Sequence, residues 1–146
     1  MAKGLKNYAL LRQACPCGKL SASNKPLAFA VCCARYLGDF ENSPAPDAES
    51  LMRSRYSAFS LGRTDYLMAT WHASTRPEDL SADDATKWLG LEVRRHATID
   101  ADHAEVEFVA RYRTASAGSG RAVRIHELSR FVREAGRWCY VDGDLR

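Results

Sequence analysis

The feature that most limits how this chain can fold is a set of four cysteines near its N-terminus. Cys15-Pro16-Cys17 and Cys32-Cys33 are two close pairs separated by fourteen residues. Neighbouring Cα atoms across a trans peptide lie about 3.8 Å apart, less than the roughly 4.4–6.8 Å a disulfide prefers, so bonds within a pair are disfavoured. A tetrahedral zinc ion wants four soft donors at about 2.3 Å, and two close thiolate pairs can supply them. Pro16 stiffens the first pair, and Gly18 permits a tight turn that aims backbone N–H groups at thiolate sulfur. Cys15, Cys17, Cys32 and Cys33 are therefore the expected ligands of one Zn2+. The alternative is four ordinary thiols in a loose arm, or a degenerate site without metal. Cys139, in an expected strand between Trp138 and Tyr140, reads as a small buried side chain.

A length of 146 residues suits one domain with a core that needs no disulfide staples. Apolar residues at 46% and charged residues at 27% exclude disorder across the whole chain. Charge is uneven: residues 1–46 carry six Lys or Arg against two Asp or Glu, and residues 47–146 carry fifteen against sixteen. A basic arm can touch a polyanion, but four thiolates around one divalent ion add a net charge of about −2 beside it. Nucleic acid is thus not the expected partner; a protein partner or a small ligand is, with a homodimer left open. No run approaches the roughly 18 apolar residues of a membrane span, and Tyr8-Ala9-Leu10-Leu11 stops at Arg12, too soon for a signal peptide. The expected location is the cytoplasm, with no membrane contact.

Along the chain, Ser43-Pro44-Ala45-Pro46 reads as a stiff linker dividing a cysteine segment (1–46) from an α+β domain (47–146). Asp47 is the expected N-cap of a helix over 48–61 that stops at Gly62, with Met52, Tyr56 and Phe59 on its apolar stripe. Thr64 or Asp65 caps a second helix carrying Leu67, Met68 and Trp71. Ser81-Ala82-Asp83-Asp84 resembles a capping box for a third helix ending near Gly90. The period then becomes two. Leu91, Val93, Arg95, Ala97 and Ile99 share one strand face, as do Ala104, Val106, Phe108, Ala110 and Tyr112 on the next. Turns at Asp100-Ala101-Asp102 and Glu134-Ala135-Gly136, a flexible loop at 116–120, and strands over about 121–133 and 137–142 complete an antiparallel meander. Helices first and a meander afterwards give an α+β layout with helices covering one sheet face.

These residues are similar to a known pattern. Cys15-Pro16-Cys17-Gly18 with Cys32-Cys33 resembles the SEC-C zinc motif, with a longer gap between the pairs and Lys19 where that motif usually has Ser. The rest of the chain resembles the YchJ-like family of bacterial proteins, in Leu51-Met52-Arg53-Ser54-Arg55-Tyr56-Ser57-Ala58-Phe59, Asp65-Tyr66-Leu67, Thr70-Trp71-His72, Trp88-Leu89-Gly90-Leu91, Phe108-Val109-Ala110-Arg111-Tyr112, Glu127-Leu128-Ser129-Arg130-Phe131, and Trp138 with Tyr140-Val141-Asp142-Gly143. The resemblance implies a zinc knuckle followed by a nuclear-transport-factor-2-like (cystatin-like) cone, helices packed on a curved antiparallel sheet. It implies no activity.

A cone can enclose a cavity between its helices and the concave sheet face, so polar residues on inward faces are candidates for ligand contact. Glu127 shares strand parity with Val123, Ile125, Ser129 and Phe131, and a carboxylate there needs a partner. Arg55, then Arg53, with Arg130 nearby, are the expected partners. Either an Arg–Glu pair fixes helix to sheet, or the arginines clamp an anionic ligand with Tyr56 and Trp71 as walls. A His72–Asp65 pair is a weaker candidate for acid–base chemistry. The preferred reading is a non-catalytic zinc-binding module for a protein or small ligand. The runner-up is an enzyme of hydrolase, isomerase or dehydratase type using the cone cavity, an analogy from fold alone.

Overall fold

The computed structural model describes residues 8–81, 86–114 and 121–146. In chain order the elements are helix α1 (Tyr8–Arg12), a 3-10 turn (Phe29–Val31), helices α2 (Ala34–Leu37), α3 (Ala48–Leu61) and α4 (Thr64–Ala69), and strands β1 (Thr86–Asp100), β2 (His103–Thr114), β3 (Ala122–Glu134) and β4 (Arg137–Leu145). The strands form one sheet in the order β1-β2-β3-β4, antiparallel throughout. Helix α3 lies across the inner face of β1, β2 and β4.

The main helix has the expected bounds because both ends carry their own stop signals. The Asp47 carboxylate accepts from the Ser50 N–H at 2.7 Å, satisfying a donor that the first turn leaves open. Gly62 sits in the left-handed region at φ 70°, where its N–H closes back on Ala58 and Phe59, and where a residue with Cβ is strained. The β2 alternation also holds: Ala104, Val106, Phe108 and Ala110 are all buried.

The sheet departs from simple alternation along β1. The register shifts between Trp88 and Gly90, between Val93 and Arg95, and between Thr98 and Asp100. Each bulge adds a residue to one strand and reverses the parity beyond it. Leu91 and Val93 point inward as expected, but after the second shift Arg95 is exposed and His96 stands opposite buried Val106. Ile99, expected inside, is exposed. The third helix is not formed at its C-terminal end, because residues 86–90 already belong to β1, paired with 111–114 of β2. Residues 82–84 of its expected capping box, which begins at Ser81, and the 116–120 loop lie outside the described residues.

One buried cluster runs through the molecule, from Cys15, Phe29 and Leu37 through Leu51 and Tyr66 to Val106 and Phe131. Side chains also tie the N-terminal segment to the rest. Arg63 Nη2 donates to the Leu37 carbonyl at 2.9 Å, and Arg137 Nη1 to the Phe40 carbonyl at 2.6 Å. The Phe40 and Tyr66 rings meet edge to face at 5.7 Å. Among the described residues, no helix is long and apolar enough to cross a membrane.

Candidate functional site

The cysteine segment brings its two pairs together through short backbone ladders. The Cys15 N–H donates to the Leu27 carbonyl at 2.8 Å, and the chain folds back through bridges Ala14–Ala28 and Leu20–Pro26. Gly18, at φ 74°, makes the expected turn after Cys17. Its N–H bonds the Cys15 carbonyl, however, and the backbone group that supports the Cys15 sulfur is that of Cys17. The 3-10 turn then delivers Cys32 and Cys33 at the start of α2.

All four Sγ atoms lie within 4.8 Å of one another, and all four residues are buried. Cys17 Sγ and Cys32 Sγ are 3.6 Å apart. Ligands at about 2.3 Å in a tetrahedron stand about 3.8 Å from each other, so the donor set fits a single tetrahedral ion and can hold one. The cysteines are free of disulfides. Protons alone serve this cluster poorly. Hydrogen bonds from Cys17, Cys32 and Cys33 drive the Cys15 thiol well below its ordinary range. Cys17 is lowered to about 7, the upward push of Cys15 being outweighed by hydrogen bonds from Cys32 and Cys33. Cys15 and Cys17 in turn push the Cys32 and Cys33 thiols up. Four anions this close need a cation between them.

Two residues of α3 support the cluster. Ser57, fully buried, places its hydroxyl 3.6 Å from Cys15 Sγ. Arg53 donates from Nε to Glu49 at 2.9 Å and from Nη1 to the Cys17 carbonyl at 3.2 Å. Arg53, expected near Glu127, therefore braces the cysteine segment instead. Ser57 is not a candidate on sequence alone; the one available signal is a pair of serines, Ser54 and Ser57, at i, i+3 on the helix.

A different face of α3 borders a cavity of about 270 Å³. Arg55, Tyr56, Trp71 and Glu127 all line it, together with Trp88 and Tyr140. Arg55 is 4% exposed, and its Nη1 donates to the Leu67 carbonyl and to Thr70 Oγ1, both at 2.8 Å. Its guanidinium carbon lies 5.1 Å from the Trp71 ring centre and 4.7 Å from that of Tyr140, within cation–π range of both. Burial lowers its pKa to about 10, well above neutrality, so it stays charged.

The direct Arg–Glu127 pair is not formed. Glu127 Oε2 accepts from the Ser129 hydroxyl in a short hydrogen bond and from Tyr140 Oη at 3.4 Å. Burial, and then the neighbouring Glu127, raise the Tyr140 pKa to about 12, so its hydroxyl remains a donor. Gly143 makes room for this arrangement, because a Cβ there would lie 2.5 Å from the Glu127 carboxylate carbon. Arg130 does not reach the cavity either. It belongs to the outer parity of β3 and is held by Asp142 at 2.6 Å and Asp144 at 2.7 Å. His72 pairs with Glu134 at 2.7 Å, and Asp65 with Arg63 at 2.9 Å, so the His72–Asp65 pair is absent.

A larger, more open depression of about 370 Å³ adjoins the first through Phe59, Trp88 and Ile125. No charged residue lines it among the described residues, so the chemistry lies with Arg55 and Glu127.

A four-cysteine centre beside a helix-covered, curved meander with an internal cavity defines a SEC-C motif protein with a nuclear-transport-factor-2-like domain. Solved structures agree. A SEC-C motif containing protein from Psychrobacter arcticus is 32% identical with a TM-score of 0.75, covering 94% of this chain and 85% of that one. Another from Rhodopseudomonas palustris is 30% identical with a TM-score of 0.73, covering 90% and 98%. The YchJ middle NTF2-like domain model matches residues 47–143. The UPF0225 protein of Polaromonas sp. is 69% identical over 132 residues, 90% of this chain and 93% of that protein. That of Bordetella bronchiseptica is 52% identical over 143 residues, 97% and 100% of the two. The chain belongs to the YchJ-like, UPF0225 family.

Proposed function

We propose that this protein is a non-catalytic binder of a small ligand, with its cone braced by a structural zinc ion. The observation that carries the ligand reading is the presence in one largely apolar cavity of a buried Arg55, over the Trp71 and Tyr140 rings, and of Glu127, which it does not touch. Cavities of this kind, apolar with a few convergent polar groups, are the usual form of small-molecule sites. A binding role is favoured over catalysis because no histidine lines the cavity among the described residues. Histidine is the side chain that most often moves protons in catalysis.

Cys15, Cys17, Cys32 and Cys33 would hold the zinc, since four soft thiolates favour zinc over harder divalent ions. Closed by four protein ligands, the ion supplies folding energy and no open coordination position. A cytoplasmic location accords with this reading, because a reducing compartment keeps thiols free for metal. Native mass spectrometry of protein purified without added metal tests both halves together. The expected spectrum shows one zinc per chain and a retained small molecule on part of the population. Zinc well below one equivalent in fresh, reduced protein would refute the metal assignment.

A further inference from the structure

We propose that the Arg55–Glu127 cavity takes a small, uncharged, planar molecule with a hydrogen-bond acceptor and a donor side by side on one edge, of the carboxamide or lactam type. This rests on the reading of the cavity as a ligand site and names the ligand class.

Size and shape come first. At about 270 Å³ the cavity is at the small end for ligand sites. Aromatic faces dominate its walls: Trp88 meets Tyr56 edge to face at 5.5 Å, and Trp71 meets Tyr140 likewise at 5.3 Å. A flat ring fits such walls better than a branched chain.

The polar inventory sets the edge. Arg55 makes its protein hydrogen bonds from Nη1 alone, so Nε and Nη2 have no acceptor among the described residues. Opposite in character, Glu127 receives both its hydrogen bonds on Oε2, and Oε1 has no donor among the described residues. A ligand carbonyl answers the unpaired Arg55 N–H groups, and a ligand N–H answers Oε1. A molecule that fills the cavity but lacks either half strips water from these groups and pairs them with nothing, so it is rejected.

Charge decides the rest. Arg55 and Glu127 offset each other within an apolar enclosure. An anion drawn to Arg55 meets the carboxylate of Glu127, and a cation drawn to Glu127 meets the guanidinium. Neither finds enough other polar atoms to replace its water. An uncharged molecule with both halves avoids the penalty.

Benzamide, benzoate and benzamidine share one ring and differ in the charge and donor–acceptor character of one substituent, with toluene as the apolar control. Each is titrated into the full metal-loaded chain by NMR, following the Trp71 indole N–H resonance assigned with Trp71→Phe. Benzamide is expected to bind at least tenfold more tightly than the other three and to shift that resonance. In Glu127→Gln, the cavity becomes net positive and benzoate should gain at least tenfold relative to benzamide. Tightest binding by benzoate or benzamidine, or equal binding of toluene and benzamide, overturns the ligand class while leaving the cavity a ligand site. No binding by any of the four overturns both. The wild-type series decides the matter even if Glu127→Gln fails to fold.

Discussion

Helix α3 separates two buried polar sites built on opposite principles. The cysteine cluster gathers four groups of one kind within 4.8 Å, and these cannot all ionise unless a cation joins them. The cavity holds one positive and one negative group that do not touch. Each is anchored by neutral neighbours: Arg55 by the Leu67 carbonyl and Thr70, Glu127 by Ser129 and Tyr140. The comparison teaches where stability and specificity reside. A site of like charges makes the fold depend on its ion, whereas a site of opposed, separately anchored charges can persist in the folded protein and select what enters.

The largest effect should come from breaking the cluster. Cys33→Ser is expected to drop bound zinc from one equivalent to nearly none by elemental analysis, with loss of a cooperative melt, because metal-binding energy is folding energy in such sites. Acid should mimic it. Metal release should rise as pH falls, since protons compete for thiolates that must stay ionised; a chain that keeps its zinc in acid but loses it to a chelator would contradict this.

A chain beginning at Ser43 asks how far the two regions are energetically separate. The continuous buried cluster predicts a melting temperature lower by about 10 °C or more. A melt within a few degrees of the full chain would show that residues 47–146 fold independently.

Arg55→Met sharpens the contrast from the cavity side. It leaves the Leu67 carbonyl without its donor, takes one hydrogen bond from Thr70 Oγ1 and removes both ring contacts, at an expected cost of about 1–3 kcal/mol in chemical denaturation, with zinc content unchanged. Gly143→Ala pushes on Glu127 from behind and should cost about 1–3 kcal/mol; its effect should fall on ligand binding as well. The smallest change is expected of Arg130→Ala, whose partners Asp142 and Asp144 are at the surface. A melting temperature indistinguishable from wild type is expected, and a clear loss of ligand binding would return Arg130 to the cavity.

Legibility tracked the range of the forces involved. Asp47 and Gly62 bound α3 through contacts a few residues away, so its limits can be read from the chain. Alternation marks β2, with Val109 as its one buried residue of opposite parity, because its inner face meets the core along most of its length. The stretch 86–90 reads as the end of a helix, yet pairing with β2 makes it strand, since ladder hydrogen bonds to residues 111–114 outweigh local propensity. The bulge after Val93 has no signature in the alternation, so Arg95 and Ile99 read as inward residues although both are exposed.

The sequence by itself determined which atoms could bind a metal, where the main helix begins and ends, and that helices precede an antiparallel meander. These follow from side-chain chemistry and from backbone preferences acting over a few residues. Only the tertiary structure decided how three nearly interchangeable arginines divide their work. Arg53 goes to the Cys17 carbonyl, Arg55 to the cavity rings and Arg130 to the outer carboxylates. A guanidinium carries the same charge and donors wherever it stands. Its role is therefore set by the acceptors and rings that packing brings from tens of residues away.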